Sequence, residues 1–231
     1  MTTVAIHQPQ YLPLLPYCDK ADNCDVFVYL DTVQFQKNGV QNRNQIKTAS
    51  GATWLTVPVS VSLGDTIAET SLASNSFARK HLATIKQSYA RAEFKELLMQ
   101  PLECIFSQSW SCLAELNIAI TELLFENLRI KSKRIRASEL DVAGSKDDLI
   151  LAICRSVGAD VYFSGKGAQS YQDEEKFRHH GVTLRYQEYK APEYRQCFPE
   201  LGFVPDLSAL DLLLNMGQES RAVMISGRKI A

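Results

Sequence analysis

No stretch of this chain approaches the roughly 18 consecutive apolar residues that a membrane-spanning helix requires. The N-terminus also lacks a basic region followed by an apolar stretch and a small-residue cleavage site. No membrane span is therefore expected, and the expected location is the cytoplasm. An excess of charge of one sign is missing as well: 25 Lys plus Arg stand against 26 Asp plus Glu, a net charge of -1. That balance excludes the broad basic surface of a general nucleic-acid binder, so any anion site must be local. The six cysteines (Cys18, Cys24, Cys104, Cys112, Cys154 and Cys197) form no CxxC pair and no Cys/His cluster at metal-ligand spacing. They read as reduced thiols acting as small hydrophobes, and no metal is expected. Internal repeats and low-complexity linkers are absent too. What is present is a 231-residue chain, 45% hydrophobic, long enough for a proper core in one large domain or two small ones.

The first predicted strand is "TVAIH", residues 3 to 7, ended by the turn signal of Pro9. A short helix with Pro16 in its first turn follows, and then "VFVYLD", residues 26 to 31, a continuous apolar run that suits a strand buried on both faces. A short crossover between buried strands favours a parallel pair, which places His7 and Asp31 at one sheet edge. "RNQIKT" and "TWLTVPVS" alternate around "ASGA" and predict an antiparallel hairpin. From about residue 76 to 130 the spacing becomes helical and predicts an inserted block of three amphipathic helices, with Pro101 starting or kinking one of them. "KRIRASEL" reads as a strand. "SKDDLILAICRSVG" reads as a helix capped by Ser145, with Asp147 and Asp148 in its first turn and Gly158 at its end. "ADVYFSGKGA" and "GVTLRYQEY" add strands, and a last amphipathic helix starts near Asp206 or Ser208 and ends at Gly217, its leucines serving as core or as the surface of a homo-oligomer. The expected architecture is a single α/β domain over residues 1–231: a Rossmann-like, mainly parallel sheet with an antiparallel hairpin and a helical insertion.

The segments "IHQPQYLP", "DVFVYLDTVQFQKNGVQNRNQIKT", "WLTVPV", "GADVYFSGKGAQSYQ" and "VPDLSALDLLLNMG", in that order, resemble the WbqC-like protein family. The family's bacterial members are often associated with O-antigen and other surface-polysaccharide gene clusters. One departure is "LLPYC" at 14 to 18, where the family more usually has Trp-Leu-Gly-Tyr-Phe. The resemblance implies a transferase of surface-polysaccharide or nucleotide-sugar biosynthesis, moving an acyl or aminoacyl group, such as glycyl, onto an amino sugar. The partners it implies are a nucleotide-linked amino sugar and an activated acyl donor, with no nucleic acid. It identifies no cofactor.

His7 lies where ligands collect in an open parallel sheet, and its unperturbed pKa suits proton transfer near neutrality. The alternative is a satisfied histidine in a rigid turn. Asp31 would orient His7 or bind a substrate amine; otherwise it caps the following turn. The same segments offer Gln8, Gln10, Tyr11 and Gln34 as substrate contacts. In "QNRN", Gln41, Asn42 and Asn44 supply paired donors and acceptors, and Arg43 supplies a planar fork for carboxylate or phosphate. Lys47 would share the Arg43 face of a strand and add a point charge. The alternatives are a loop whose amides hydrogen-bond its own backbone and, for Lys47, a solvated charge. Ser164, Gly165, Lys166 and Gly167 follow a strand and could cradle an anion, although the six-residue spacing of a Walker A loop is absent. Tyr171 and Gln172 extend that polar surface. His179 and His180 sit at a helix end, where imidazolium suits the dipole. Two function classes follow: the transferase, or a non-catalytic sugar or nucleotide-sugar binding partner in a glycan-biosynthesis complex. A carboxylate-adenylating variant is disfavoured by the lack of a His-x-Gly-His loop.

Overall fold

The computed structural model describes residues 1–229. In chain order the strands are β1 (Thr3–His7), β2 (Val26–Tyr29), β3 (Arg43–Thr48), β4 (Gly51–Thr56), β5 (Val59–Ser60), β6 (Ser71–Leu72), β7 (Lys133–Arg136), β8 (Val161–Gly165) and β9 (Thr183–Gln187). The helices are α1 (Leu15–Asp22), α2 (Ser76–Ser88), α3 (Met99–Ser107), α4 (Leu113–Asn127), α5 (Lys146–Ser156), α6 (Glu174–His179), α7 (Ala209–Met216) and α8 (Ser220–Ser226). Five strands form one sheet in the order β7-β2-β1-β8-β9, and every pairing in it is parallel. The protein is an α/β, Rossmann-like fold with a small antiparallel hairpin, β3 with β4.

Alternation along the strands sorts the side chains into two layers. Ala5, Phe27, Tyr29 and Phe163 face one side of the sheet and share a core with α1, α4 and α7. Val4, Ile6, Val26, Val28 and Tyr162 face the other, against Leu149, Ile150 and Ile153 of α5 and Phe177 of α6. Apolar residues on both faces explain why β1 and β2 read as unbroken hydrophobic runs. Leu102, Phe106, Leu116 and Leu124 of the helices after β6 belong to the same core as α1 and β2.

Several boundaries differ from the sequence expectation for local reasons. The second hairpin strand stops at Thr56; Pro58, which has no N–H to donate, follows, and β5 then pairs with β6 instead. The strand at "KRIR" ends at Arg136, and "ASE" tightens into a 3-10 turn. The helix around Pro101 is split, with a 3-10 turn at Lys95–Leu97 before α3. Pro16 sits in the first turn of α1, and Ser208 caps α7 by accepting from the Leu210 N–H. Among the described residues no helix is long and apolar enough to cross a membrane.

Candidate functional site

The chain leaves β1 to build β2 and β7 on one side, then returns to build β8 and β9 on the other. The order therefore reverses between β1 and β8, and the helices diverge there to opposite faces. Such a switch point opens a crevice outside the carboxyl ends of the strands, where ligands of doubly wound proteins collect. A cavity of about 770 Å³ occupies this position. Its volume falls within the range of roughly 300–1,000 Å³ that small-molecule sites use.

Its lining mixes apolar side chains, Ile6, Leu30, Val33, Leu149, Ile150 and Tyr162, with polar ones, His7, Gln8, Lys20, Gln36, Lys146, Asp147, Ser164 and Gln172. His7 ends β1, in register with Tyr29 of β2. Its ring meets Tyr17 edge-on at 4.8 Å, which fixes its tilt. Nδ1 lies 3.2 Å from the Gln8 carbonyl oxygen. A proton on Nδ1 serves that contact and leaves Nε2 as a free acceptor. Burial, helped by the charge of Lys20 and opposed by the Gln8 bond, lowers the His7 pKa to about 3, so the imidazole is neutral at physiological pH.

Lys20 comes from α1 and is only 4% exposed. Its ammonium has no hydrogen bond and no ion pair among the described residues, while Asp19 beside it is taken by Arg228 and Gln187. Burial lowers the Lys20 pKa to about 8. A β-carbon added at Gly165 would lie 3.3 Å from the Lys20 Nζ, so the bare glycine leaves that nitrogen uncovered. Ser164 donates to the Gln172 Oε1 at 3.0 Å, and Gln8 accepts from the Gln41 Nε2 at 2.8 Å.

Most of the other candidate residues lie elsewhere. Asp31 follows β2, but its two oxygens accept from the Ser138 N–H at 2.9 Å and the Ser138 hydroxyl at 2.6 Å, tying β2 to the turn after β7. Lys166 is exposed, whereas Gly165 and Gly167 line the cavity. Gln34 is exposed and bridges to Thr66; Gln36, two residues on, faces the cavity instead. Tyr11 bonds His81 at 2.7 Å in the core, and Gln10 is buried. The Asn42 amide donates to the Val57 carbonyl at 3.0 Å, and that of Asn44 to the Leu12 carbonyl at 2.6 Å. Arg43 stacks 4.5 Å from the centre of the Trp54 ring. Lys47 is fully buried and donates to the Gln196 Oε1 and the Gly202 carbonyl.

Sequence reasoning passed over Lys20 and Gln36. The available signal for Lys20 was weak: a lysine in a very short crossover helix crowded with Tyr17, Cys18 and Ala21, too apolar for every charge to reach water.

These features define a doubly wound α/β protein with a ligand-sized cavity at its switch point. The chain belongs to the WbqC-like protein family, which matches residues 8–223. It is similar to the uncharacterized protein Rv1507c of Mycobacterium tuberculosis, with 31% identity over 224 residues that cover 95% of this chain and 96% of the relative. No solved structure matches the chain.

Proposed function

We propose that this protein is a transferase that moves an acyl or aminoacyl group, glycyl among them, onto the amine of a nucleotide-linked amino sugar in surface-polysaccharide synthesis. The observation that carries this reading is the neutral His7 imidazole, with Nε2 unpartnered, lining a switch-point cavity of mixed apolar and polar surface. In the proposed reaction the Nε2 lone pair takes a proton from the sugar ammonium. The freed amine attacks the activated carbonyl, whose oxygen gains the negative charge; as the C=O re-forms, the bond to the leaving group breaks, and that group departs with its electron pair and the second nitrogen proton, leaving the amide. Gln8, Gln36 and Gln172 offer the paired donors and acceptors that sugar hydroxyls need.

A second reading, ligand binding without turnover, is favoured by one specific feature. His7 has no carboxylate partner, because Asp31 is engaged by Ser138, and its depressed pKa makes it a weak base until something in the cavity changes its surroundings. The two readings separate in one experiment. Purified protein is incubated with amino-sugar nucleotides and activated acyl donors, and mass spectrometry follows a mass gain on the sugar. For the transferase, His7→Ala abolishes the gain while retaining ligand binding; a His7→Ala protein that turns over at the normal rate removes His7 from the mechanism. Binding of the sugar nucleotide with no mass gain from any donor supports the second reading.

A further inference from the structure

We infer that Lys20 holds the phosphate groups of the nucleotide-linked substrate at the floor of the switch-point cavity. The inference rests on that cavity being the substrate site and deepens it by assigning the diphosphate to one amine. Three observations carry it. The Lys20 side chain is buried along its length and lines the cavity, yet no carboxylate, carbonyl or hydroxyl among the described residues accepts from its ammonium. A buried unpaired cation is costly and persists where a ligand completes it. Gly165 leaves the nitrogen bare, since a β-carbon there would stand 3.3 Å from it. The cavity is also roomy enough, at about 770 Å³, for a nucleoside diphosphate.

The chemistry favours phosphate over a carboxylate. No arginine fork lines the cavity, so planar bidentate recognition is missing. A lysine is a compact charge with three donors that can spread over several phosphate oxygens. Exposed Lys146 also lines the cavity, with the Asp147 carboxylate as its neighbour, and Leu149 and Ile150 offer apolar surface for the nucleoside. An anion placed at Lys20 also offsets the lysine charge, which after burial is the lesser influence holding the His7 pKa down, so phosphate binding should shift the imidazole upward.

Isothermal titration with UDP and with inorganic pyrophosphate tests the assignment on the full chain, apart from any turnover. Both ligands should bind the unaltered protein, and Lys20→Met should weaken each at least about 10-fold. The melting temperature of Lys20→Met should stay level or rise, because removing an unpaired buried charge is not destabilising; a structural lysine would lower it. If Lys20→Met fails to fold, Gly165→Ala provides the check: at φ -75° an alanine is unstrained, and its methyl group should crowd Nζ and weaken UDP several-fold. Equal affinity in the unaltered protein and the variants overturns the role of Lys20. Failure of the unaltered protein to bind either ligand overturns the phosphate assignment, whereas acyl transfer itself would still be read from the mass gain on a nucleotide-free amino sugar. Binding of a free amino acid at Lys20 in place of UDP overturns it too, in favour of a carboxylate.

Discussion

Two polar regions of this protein use the same residue types in opposite ways. Between the β3–β4 hairpin and α7, Asp211 is buried and accepts from the Tyr89 hydroxyl at 2.7 Å, the Tyr194 hydroxyl at 2.8 Å and the Gln196 amide at 3.0 Å. Lys47 reaches the same Gln196, and the Asn215 side chain spans from the Asp211 carbonyl to the Cys197 N–H. The Asp211 carboxylate, the Lys47 ammonium and the Gln196 and Asn215 amides all find partners in the chain. At the carboxyl edge of β1 and β8 the pattern reverses: the His7 Nε2 and the Lys20 ammonium have none. A closed buried network specifies packing, whereas an open one facing a cavity awaits a ligand. The lesson is that polarity marks neither class; the accounting of partners does.

That contrast is most exposed to refutation at Asp211. Asp211→Ala would take the acceptor from two buried tyrosine hydroxyls and from the Gln196 amide, and the expected loss of stability is about 3–5 kcal/mol in urea unfolding. Nucleotide affinity of the folded fraction should be unchanged. A mild loss of stability together with lost ligand binding would mean that the hairpin network, rather than the switch point, is the site.

Acid titration probes the cavity side. The folded His7 pKa lies near 3 and that of His81, buried beside Tyr11, near 4, both below the ordinary 6.5. The unfolded chain therefore takes up protons that the native chain refuses. Stability is fully present above pH 6.5 and is lost as the pH falls toward 4 and then 3, by up to about 1.4 kcal/mol per pH unit for each histidine. The lower folded pKa of His7 gives it the larger share. His7→Asn and His81→Asn should each flatten the decline between pH 6.5 and 4, and a slope that neither variant changes would show that both rings already charge in the native state.

Asn44→Ala should have a smaller effect. It deprives the Leu12 carbonyl and the Gln45 N–H of their partner, and about 1–3 kcal/mol of stability should go with it. Because Leu12 itself sits at a φ of 48°, the loop from Gln8 to Leu15 should also loosen, seen as faster amide exchange there. If exchange in that loop is unchanged, Asn44 is not what holds it. The smallest change is expected for Arg43→Lys, which weakens a partly exposed stack on Trp54 worth about 0.5–1 kcal/mol. Unaltered UDP affinity is predicted, and a loss of affinity would extend the ligand site to the hairpin.

What the sequence by itself determined is the local and periodic part. The apolar runs at residues 3–7 and 26–29 carried their own reading as buried strands, and the alternation of "RNQIKT" with its partner strand specified a hairpin. Caps and breakers at Pro16, Ser208 and Gly217 lay within a residue or two of the helix ends. These signals are short-range, because hydrogen bonding and side-chain period are set within a few residues. The edge shared by His7 and the Ser164–Gly167 loop follows from the parallel pairing of β1 with β8, a direction that helical crossovers between buried strands favour.

The direction and partnership of individual side chains were decided only by the tertiary structure. Asp31 leaves its strand at the carboxyl edge, as expected from its position, yet Ser138, 107 residues away in sequence, claims both oxygens. Lys47 and Arg43 lie on the same strand, but Lys47 is sealed beneath Gln196 and Gly202 while Arg43 stacks outward on Trp54. Lys20 reads as an ordinary helix lysine until α1 is packed against the sheet and Gly165 is brought opposite it. Whether a polar group is satisfied depends on atoms contributed by distant segments, and no local pattern encodes which distant atoms will arrive.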